Sequence, residues 1–182
     1  MKFKRLKISD IVEITPEVFK DNRGFFCEIF RLNIFKNIIK VKNINFIQDN
    51  LSKSKKYTLR GLHYQIENTQ DKLISVLDGE IFDVAVDLRK NSKTFGKHVS
   101  CILNSKKKNL LWVPKGFAHG FFVQSKSALV SYKVTDYYNK KAERTLLWND
   151  KSLNIKWPNS IKKIVSNKDK NGDILDINKK YF

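Results

Sequence analysis

The chain has 182 residues, of which 41% are hydrophobic, so it can bury a packed core and is not expected to be disordered. It carries a formal net charge of +18, because 36 lysines and arginines face 18 acidic residues. No segment approaches the ~20 consecutive apolar residues that a membrane helix needs. The basic start of the chain is not followed by an apolar run of signal-peptide length. We therefore expect a cytoplasmic protein without a membrane partner.

The positive charge raises the possibility of a basic nucleic-acid-binding β-barrel. Only six of the basic residues are arginines, and the lysines cluster in short runs at expected loops, such as Lys106-Lys107-Lys108 and Lys140-Lys141. These runs form no continuous basic stripe, and the sequence has no RNA-binding aromatic motif. We favour solvated lysines and no nucleic-acid partner, although the positive field would attract an anionic substrate.

Short β-rich segments dominate the chain. They carry β-branched and aromatic side chains and are separated by turn residues, which are strand signals. Before the second of them, residues 31–40 place four apolar side chains at helical spacing, which predicts one short amphipathic helix. Asp78-Gly79, between two segments, predicts a two-residue hairpin. The predicted strands cover residues 25–30, 44–50, 62–66, 72–77, 80–88, 99–103, 110–114, 120–124 and 128–134.

Many short antiparallel strands indicate an all-β sandwich, jelly roll or barrel. A barrel of this size can hold a ligand in its mouth. No linker-like tract divides the sequence, so we expect a single domain over residues 1–182. Its polar tail, from about residue 159, is expected to wrap the surface as turns and short helical pieces. Cys27 and Cys101 lie in apolar segments without a CxxC pair and are expected to be buried free thiols.

One candidate for chemistry is the segment Arg60-Gly61-Leu62-His63-Tyr64-Gln65. In a regular strand Arg60, Leu62 and Tyr64 share one face, and His63 and Gln65 share the other, unless the glycine kinks the strand. A histidine titrates near neutral pH and can take and return a proton. Alone, a strand histidine is more often a hydrogen-bonded structural residue.

The segment from Pro114 to Phe121 is similar to the second metal motif of cupin barrels, with His119 in the ligand position. Such sites usually need two histidines on the first motif, which here offers only His63, and His98 lies in an expected loop. Metal sites need convergent ligands, so we predict no metal. No Walker loop, GxGxxG motif or nucleophile elbow is present, which argues against nucleotide hydrolysis and Rossmann chemistry.

Two further clusters lie towards the end of the chain. Tyr132 and Tyr138 offer phenols that can donate a proton or stack on a base, although core or rim packing is the ordinary role of a tyrosine. In Ser166-Asn167-Lys168-Asp169, the carboxylate could orient a histidine, and the alternative is an ordinary turn.

Taken together, these segments resemble the dTDP-4-dehydrorhamnose 3,5-epimerase family, which is cupin-like. The similarity runs in order from about residue 10 to 170. It implies an all-β, cupin-like jelly-roll barrel with a few short helices, no metal, no cofactor and usually a homodimer. The matching segments are residues 21–28, 48–52, 60–65, 72–73, 83–89, 92–96, 114–121, 132–133, 138, 148–150, 157–158 and 166–169.

The resemblance implies inversion of C3 and C5 of dTDP-4-dehydro-6-deoxy-D-glucose, which gives dTDP-4-dehydro-L-rhamnose. His63 would be the base, and Asp169 would orient it. Lys72 would stabilise the oxyanion next to the reacting carbons, and Tyr132 would return a proton from the opposite face.

Binding roles carry over in the same way. Arg60, Arg23 and Lys168 would neutralise the diphosphate, and Tyr138 would stack on the thymine. Arg23 and Glu28 would reach in from the partner of the dimer. The other residues implied to surround the nucleotide, sugar and phosphates are Gln48, Asp49, Asn50, His119 and Glu143.

Other functions stay open at this point. A relative that inverts only C3 or C5, or acts on another 4-keto sugar nucleotide, would share the scaffold. A cupin-like module that binds sugars without catalysis would bind ligand without exchanging its hydrogens with solvent. A nucleic-acid-binding barrel would retain duplex DNA in a salt-dependent manner that free dTDP does not affect.

Overall fold

The computed structural model describes residues 1–158 and 162–182, and strands make up most of its regular structure. The strands are β1 (Lys2–Arg5), β2 (Val12–Thr15), β3 (Val18–Asp21), β4 (Gly24–Cys27), β5 (Gln48–Lys55), β6 (Thr58–Gln65), β7 (Lys72–Asp78), β8 (Glu80–Asp87), β9 (His98–Asn104), β10 (Leu110–Val113), β11 (Phe117–Val123), β12 (Ser127–Val134), β13 (Glu143–Thr145) and β14 (Ile164–Val165). The helices are α1 (Leu32–Ile39) and α2 (Asn167–Lys170).

The strands form two large sheets that face each other. The first sheet has the order β1-β2-β10-β7-β12-β5, and the second has the order β13-β6-β11-β8-β9, with β14 added in parallel to β6. All other pairs are antiparallel, and β3 and β4 form a separate hairpin. Apolar side chains from both sheets, such as Ile74 and Leu111 from one and Ala85 and Phe121 from the other, pack between them. The predicted jelly-roll architecture is therefore confirmed.

The second sheet is covered on both faces, and its interior strand β8 is buried along nearly its whole length. Ile81, Asp83 and Ala85 point towards the first sheet, whereas Val84 and Val86 belong to an outer apolar cluster. That cluster also contains Leu153 and Tyr181 from the later part of the chain. Burial on both faces explains why the segment is continuously apolar, apart from its two buried aspartates.

Helix α1 covers the outer face of the first sheet, as the helical spacing predicted. Its buried residues Phe35, Ile38 and Ile39 pack in a cluster with Trp112 and neighbouring strand residues. The rings of Phe35 and Trp112 meet edge to face at 5.2 Å between centroids. Burying a side chain as large as Phe35 contributes about 1.5–3 kcal/mol, so this contact fixes the helix on the sheet.

The hairpin predicted at Asp78-Gly79 is wrong. Strand β7 pairs with β10 and β12, whereas β8 pairs with β9 and β11, so the chain crosses here from one sheet to the other. Gly79 has a φ of 84°, and a Cβ at this position would lie 2.1 Å from the carbonyl oxygen of Ser127. A tight turn is present at Asp78-Gly79, but it connects strands of two different sheets and not two paired strands of a hairpin. A two-residue connection does join β3 to β4, where Asp21 pairs with Gly24.

The tail runs over the second sheet. Ile164 and Val165 pair with the beginning of β6, and α2 follows directly. Ser166 caps α2, because its Oγ accepts a hydrogen bond from the backbone N–H of Asp169 at 3.1 Å. Tyr181 is buried with its ring against Tyr64. The tail forms turns and a short helical piece, as expected, although its start at residues 159–161 lies outside the described residues.

Both cysteines are free thiols, and they differ in burial. Cys101 is buried on the inner face of β9, and this burial raises the pKa of its thiol to about 12. Cys27 is only partly buried at the end of β4, in contrast to the expectation of two buried thiols. Among the described residues, neither helix has the length and apolarity to traverse a bilayer.

Candidate active site

A cavity of about 270 Å³ opens between the two sheets at one end of the barrel. Strands from both sheets line it, together with the loops beside them and α2. It brings together eight of the fourteen residues that the sequence predicted for the site, and a ninth, Asp169, lies directly behind its wall. The eight are Arg60, His63, Lys72, His119, Tyr132, Tyr138, Glu143 and Lys168.

Strand β6 is irregular at Gly61, and this places Arg60 and His63 in the same cavity. Gly61 has a φ of 121°, and a Cβ there would lie 2.5 Å from the Cα of Gly120 in β11. The pairing of β6 with β11 shifts register at the same point. Leu62 turns instead into the outer apolar cluster. The alternation of a regular strand therefore does not hold here, because a glycine and a bulge interrupt it, which is the exception that the sequence left open at Gly61.

His63 and Asp169 form a close pair. Nε2 of His63 lies 2.6 Å from Oδ1 of Asp169, although the two residues are 106 positions apart in the chain. The His63 side chain keeps 27% of its surface exposed, whereas that of Asp169 keeps 3%. The backbone N–H of Gly61 also donates to Asp169, at 3.4 Å. The carboxylate thus lies behind the imidazole, and the imidazole faces the cavity.

The pair determines which nitrogen of His63 is available to a ligand. Burial raises the pKa of the Asp169 carboxyl, but the hydrogen bond and charge of His63 outweigh it, and the pKa lies below its usual value. The carboxylate is therefore ionised and accepts the proton of Nε2. The tautomer that donates from Nε2 keeps its lone pair on Nδ1, which is the atom able to act as a base.

Lys72 is the first residue of β7 and places a cation in the cavity. Burial lowers the pKa of its ammonium to about 8, while the negative charges of Glu143 and Asp83 act in the opposite direction. Within residues 1–158 and 162–182, the ammonium has no hydrogen-bond partner and is available to an oxygen of a ligand. Below about pH 8 it is a poorly solvated positive charge, which acts strongly on a negative charge that develops beside it.

Tyr132 lies on β12, in the sheet opposite to His63. Burial raises the pKa of its phenol, Arg60 lowers it, and Glu143 raises it again. The net effect is upward, so the hydroxyl remains protonated at neutral pH and is a proton donor rather than a base. Base and potential acid therefore reach the cavity from different sheets.

His119 forms a second pair with an aspartate. Its Nε2 donates to both carboxylate oxygens of Asp83, at 2.8 and 2.9 Å. The His119 side chain is 13% exposed, and that of Asp83 is fully buried. His119 lies directly opposite His63 in the register of β11 and β6. Asp83 was not among the predicted site residues, although an acid inside an otherwise apolar strand was a visible signal.

Polar residues at the rim form a connected group. Glu143 accepts a hydrogen bond from the hydroxyl of Tyr138 at 3.1 Å and pairs with Nζ of Lys168 at 2.8 Å. Burial raises the pKa of the Glu143 carboxyl, but Lys168, His63 and Tyr138 together hold it below its usual value. The ring of Tyr138 is 52% exposed and is free to stack on a planar ligand.

Arg60 is exposed at the cavity edge and is anchored through a single nitrogen. Its Nε donates to Oγ of Ser54 at 3.0 Å. The terminal nitrogens have no acceptor among the residues that the structure describes, so a bidentate contact to a phosphate is open to them.

Five predicted residues lie outside the cavity. Arg23 pairs with Asp21 in the β3–β4 hairpin, and Glu28 pairs with Arg31 just after it. The others lie on β5, an edge strand of the first sheet: Gln48, Asp49 and Asn50.

The three β5 residues are linked to cavity residues or their neighbours. Gln48 accepts from the backbone N–H of Tyr138 at 3.0 Å and donates to Asn50 at 2.8 Å. Asp49 pairs with Lys133 at 2.8 Å. Hydrogen bonds therefore connect the edge strand β5 to the rim of the cavity, although the side chains of Gln48, Asp49 and Asn50 do not line the cavity.

Over residues 1–158 and 162–182, no group of three His, Cys, Asp or Glu side chains is arranged to hold a metal ion. His63 and His119 each use Nε2 to bond a different aspartate.

A model of the dTDP-4-dehydrorhamnose 3,5-epimerase family matches residues 5–176. The chain belongs to this family. It is 49% identical over 173 residues to a dTDP-4-dehydrorhamnose 3,5-epimerase from Shigella flexneri, with 94% of each chain covered. It is also 49% identical over 162 residues to an enzyme of the same name from Neisseria gonorrhoeae. That match covers 89% of this chain but spans only about half of the relative, 49%.

A solved member of the family has the same fold. The dTDP-6-deoxy-D-glucose-3,5-epimerase of Legionella pneumophila, in complex with dTDP-4-keto-L-rhamnose, is 43% identical and superposes with a TM-score of 0.93. The match covers 97% of this chain and 93% of the Legionella chain. The cupin-like jelly roll and the membership in an epimerase family, both predicted from sequence, are confirmed.

Proposed function

We propose that the chain inverts C3 and C5 of dTDP-4-dehydro-6-deoxy-D-glucose and so produces dTDP-4-dehydro-L-rhamnose. The observation that carries this proposal is the His63–Asp169 pair, 2.6 Å between Nε2 and Oδ1, in a cavity that Lys72 and Tyr132 also line. No cofactor takes part in the proposed chemistry.

Proton removal is the first step. The C4 ketone acidifies the hydrogens on C3 and C5, so a base of moderate strength can remove one of them. Nδ1 of His63 carries the lone pair that takes this proton. Asp169 then lies against an imidazolium, and its negative charge stabilises that form. A general base of this kind contributes about 10²–10⁴-fold to the rate.

The enolate that forms carries negative charge on the C4 oxygen. Lys72 supplies a positive charge in a cavity where burial has removed most of its solvation. Preorganised stabilisation of an oxyanion by one donor is worth about 3 kcal/mol. This role requires the ammonium form, so we expect activity to fall as the pH rises through about 8.

Inversion requires reprotonation from the face opposite to the base. Tyr132 comes from the other sheet, and its phenol stays protonated because burial raises its pKa. It returns a proton to the face that His63 does not reach. The same two groups act at C3 and at C5 in turn, because both carbons flank the same ketone.

The nucleotide is held at the rim. Arg60 and Lys168 neutralise the diphosphate, Tyr138 stacks on the thymine, and His119 and Glu143 contact the sugar and phosphates. Gln48, Asp49 and Asn50 contact the nucleotide from the edge strand.

Arg23 and Glu28 act across a homodimer, from the partner. The hairpin that precedes Glu28 supports this assignment, because Phe19, Phe25 and Phe26 are each more than half exposed in one chain. A second copy that covers these rings would bring the hairpin to a neighbouring site.

Residues 1–182 are proposed to act as one domain, since the tail supplies Asp169 to a strand of the barrel. A cytoplasmic location is also part of the proposal, because free thiols at Cys27 and Cys101 suit a reducing compartment.

The test is proton NMR of dTDP-4-dehydro-6-deoxy-D-glucose in heavy water with the purified protein. We expect deuterium at both C3 and C5 and signals of the product with both centres inverted. Exchange at one carbon alone would indicate a monoepimerase. Binding without exchange would indicate a sugar-binding module, and either result overturns the proposal. Retention of random duplex DNA that dTDP does not displace would favour the nucleic-acid-binding alternative.

A further inference from the structure

We propose that Asp83 is a positioning residue of this active site, which holds His119 in place and keeps the Lys72 cation available to the substrate. The inference deepens the proposed function and rests on it. Asp83 touches no ligand itself, since it does not line the cavity, and it acts through the two residues that do.

The location of Asp83 is the first argument. It lies in the middle of β8 between Ile81 and Ala85, on the face that points into the barrel, and it is 0% exposed. In the sheet it pairs with Phe121 on one side and Cys101 on the other. Both carboxylate oxygens are directed to one partner, Nε2 of His119, at 2.8 and 2.9 Å.

The cost of this arrangement is the second argument. A carboxylate taken out of water loses several kcal/mol of solvation, and a buried ion pair rarely recovers more than it loses. Two apolar residues of similar volume in place of the Asp83–His119 pair would fit the strand pattern, and such replacements are commonly neutral or stabilising. The stability of the sheet therefore does not explain Asp83, and a role in the adjacent cavity does.

The charges around Lys72 are the third argument. Glu143 from β13 and Asp83 from β8 raise the pKa of Lys72 against the effect of burial. Burial raises the pKa of the Asp83 carboxyl above its usual value, although His119 and Lys72 act in the opposite direction. Glu143 has the larger effect on Lys72 and also bonds Lys168 and Tyr138, whereas Asp83 acts on Lys72 while it bonds His119. The other titratable or charged residues that line this cavity are Arg60, His63, Tyr64, His119, Tyr132, Tyr138 and Lys168.

The sign of the effect follows from these contacts. Removing the negative charge of Asp83 takes away a cause that raises the pKa of Lys72, and the pKa falls further. Since catalysis needs the ammonium, the alkaline limb of the pH profile moves to lower pH. A residue with a purely structural role would change stability or the overall rate without moving this limb.

The experiment is the pH dependence of kcat/KM for Asp83→Asn, measured by solvent-deuterium exchange, because this parameter reports groups of the free enzyme. We expect the alkaline limb to move down by about one pH unit. The matched control is Asp87→Asn. Asp87 lies four residues along the same strand, is also 0% exposed and bonds Arg89 rather than a cavity residue. The alkaline limb of the Asp87→Asn profile is expected to stay at the wild-type pH.

Two further variants test whether the alkaline limb of the pH profile reports the titration of Lys72. In Lys72→Arg the cation is permanent, so the alkaline limb assigned to Lys72 should be absent, and adding Asp83→Asn should not restore it. His119→Gln keeps the Asp83 carboxylate and should keep the limb near its wild-type position while KM rises. If Asp83→Asn does not fold, Asp83→Ser is the second uncharged variant for the same profile.

The proposal is overturned if a folded, uncharged Asp83 variant keeps the alkaline limb of its pH profile at the wild-type pH. It is also overturned if Asp87→Asn moves this limb as far as Asp83→Asn does. Absence of exchange in the wild-type protein would instead refute the proposed function, so the two failures are distinguishable.

Discussion

The cavity contains two histidine–aspartate pairs that look alike in isolation. In both, Nε2 of the histidine bonds a buried carboxylate, and the two histidines lie opposite each other in β6 and β11. Their aspartates differ in origin. Asp83 lies on the strand next to His119, whereas Asp169 comes from the tail, 106 residues from His63.

Under the proposed roles, a hydrogen bond to a carboxylate does not by itself make a histidine a base. His119 is 13% exposed and is held by both oxygens of a carboxylate inside the sheet, an arrangement that fixes its position. His63 is 27% exposed, and its carboxylate approaches from outside the barrel, so its free nitrogen faces the cavity. We therefore propose that the accessibility of the second nitrogen distinguishes His63, as the base, from His119.

The largest effect expected from this comparison is that of His63→Asn. Loss of the base should reduce deuterium exchange at C3 and C5 by about 10²–10⁴-fold while the protein stays folded. His119→Asn is the matched variant and should reduce kcat/KM by about tenfold, mainly through KM, because it loses one polar contact. Equal losses of exchange in the two variants would mean that the pairs do not differ in role.

Tyr132→Phe should separate exchange from inversion. His63 can still remove and return a proton on its own face, so deuterium should enter the substrate at a rate close to wild type. Inverted product should fall by about 10²-fold or more, because the opposite face lacks its acid. NMR of the same reaction reports both quantities. Undiminished product formation would assign the acid to another group.

Asp169→Asn is expected to reduce activity less than His63→Asn or Tyr132→Phe does. A hydrogen bond to a charged group is worth about 1.5–3 kcal/mol, so kcat should fall by about 10–100-fold. The loss should appear in kcat rather than KM, because the imidazolium exists only after proton transfer. A change confined to KM would indicate that Asp169 shapes the binding site instead of supporting the base.

Removal of metal ions is expected to have no effect. Two histidines that face each other across neighbouring strands, with acids close by, could share an ion if their carboxylate bonds opened. Dialysis against a chelator, followed by the exchange assay, should leave the rate unchanged. A rate that falls with chelation and returns with one added ion would make the two pairs parts of a single metal site.

Much of the barrel could be predicted from local sequence, and the exceptions have physical causes. Buried strands such as β8 and β12 can be predicted from their apolar and β-branched residues. The segment Gln48–Lys55 is almost entirely polar, because it forms an edge strand with one exposed face, and its predicted limits were too early. Asp78-Gly79 has turn chemistry, but no local signal tells a hairpin from a crossing between two sheets.

The site, like the fold, has features that local sequence predicts and features that depend on contacts between distant residues. The similarity of ordered motifs indicated the residues that line the cavity, yet strand alternation alone separated Arg60 from His63. The irregularity at Gly61 depends on contact with Gly120, which is distant in sequence. Asp83 went unnoticed because its importance depends on which residues its neighbours face in three dimensions.

The attachment of Asp169 to the barrel has a consequence for the synthesis of the chain. The sequence up to the end of β13 includes every strand of the two large sheets except β14, and with them His63, Lys72 and Tyr132. It lacks the carboxylate that orients the imidazole and the Lys168 that joins the rim. Because Lys168 and Asp169 come near the end of the chain, we expect the site to be complete only after residue 169 has been synthesised and has docked beside β6.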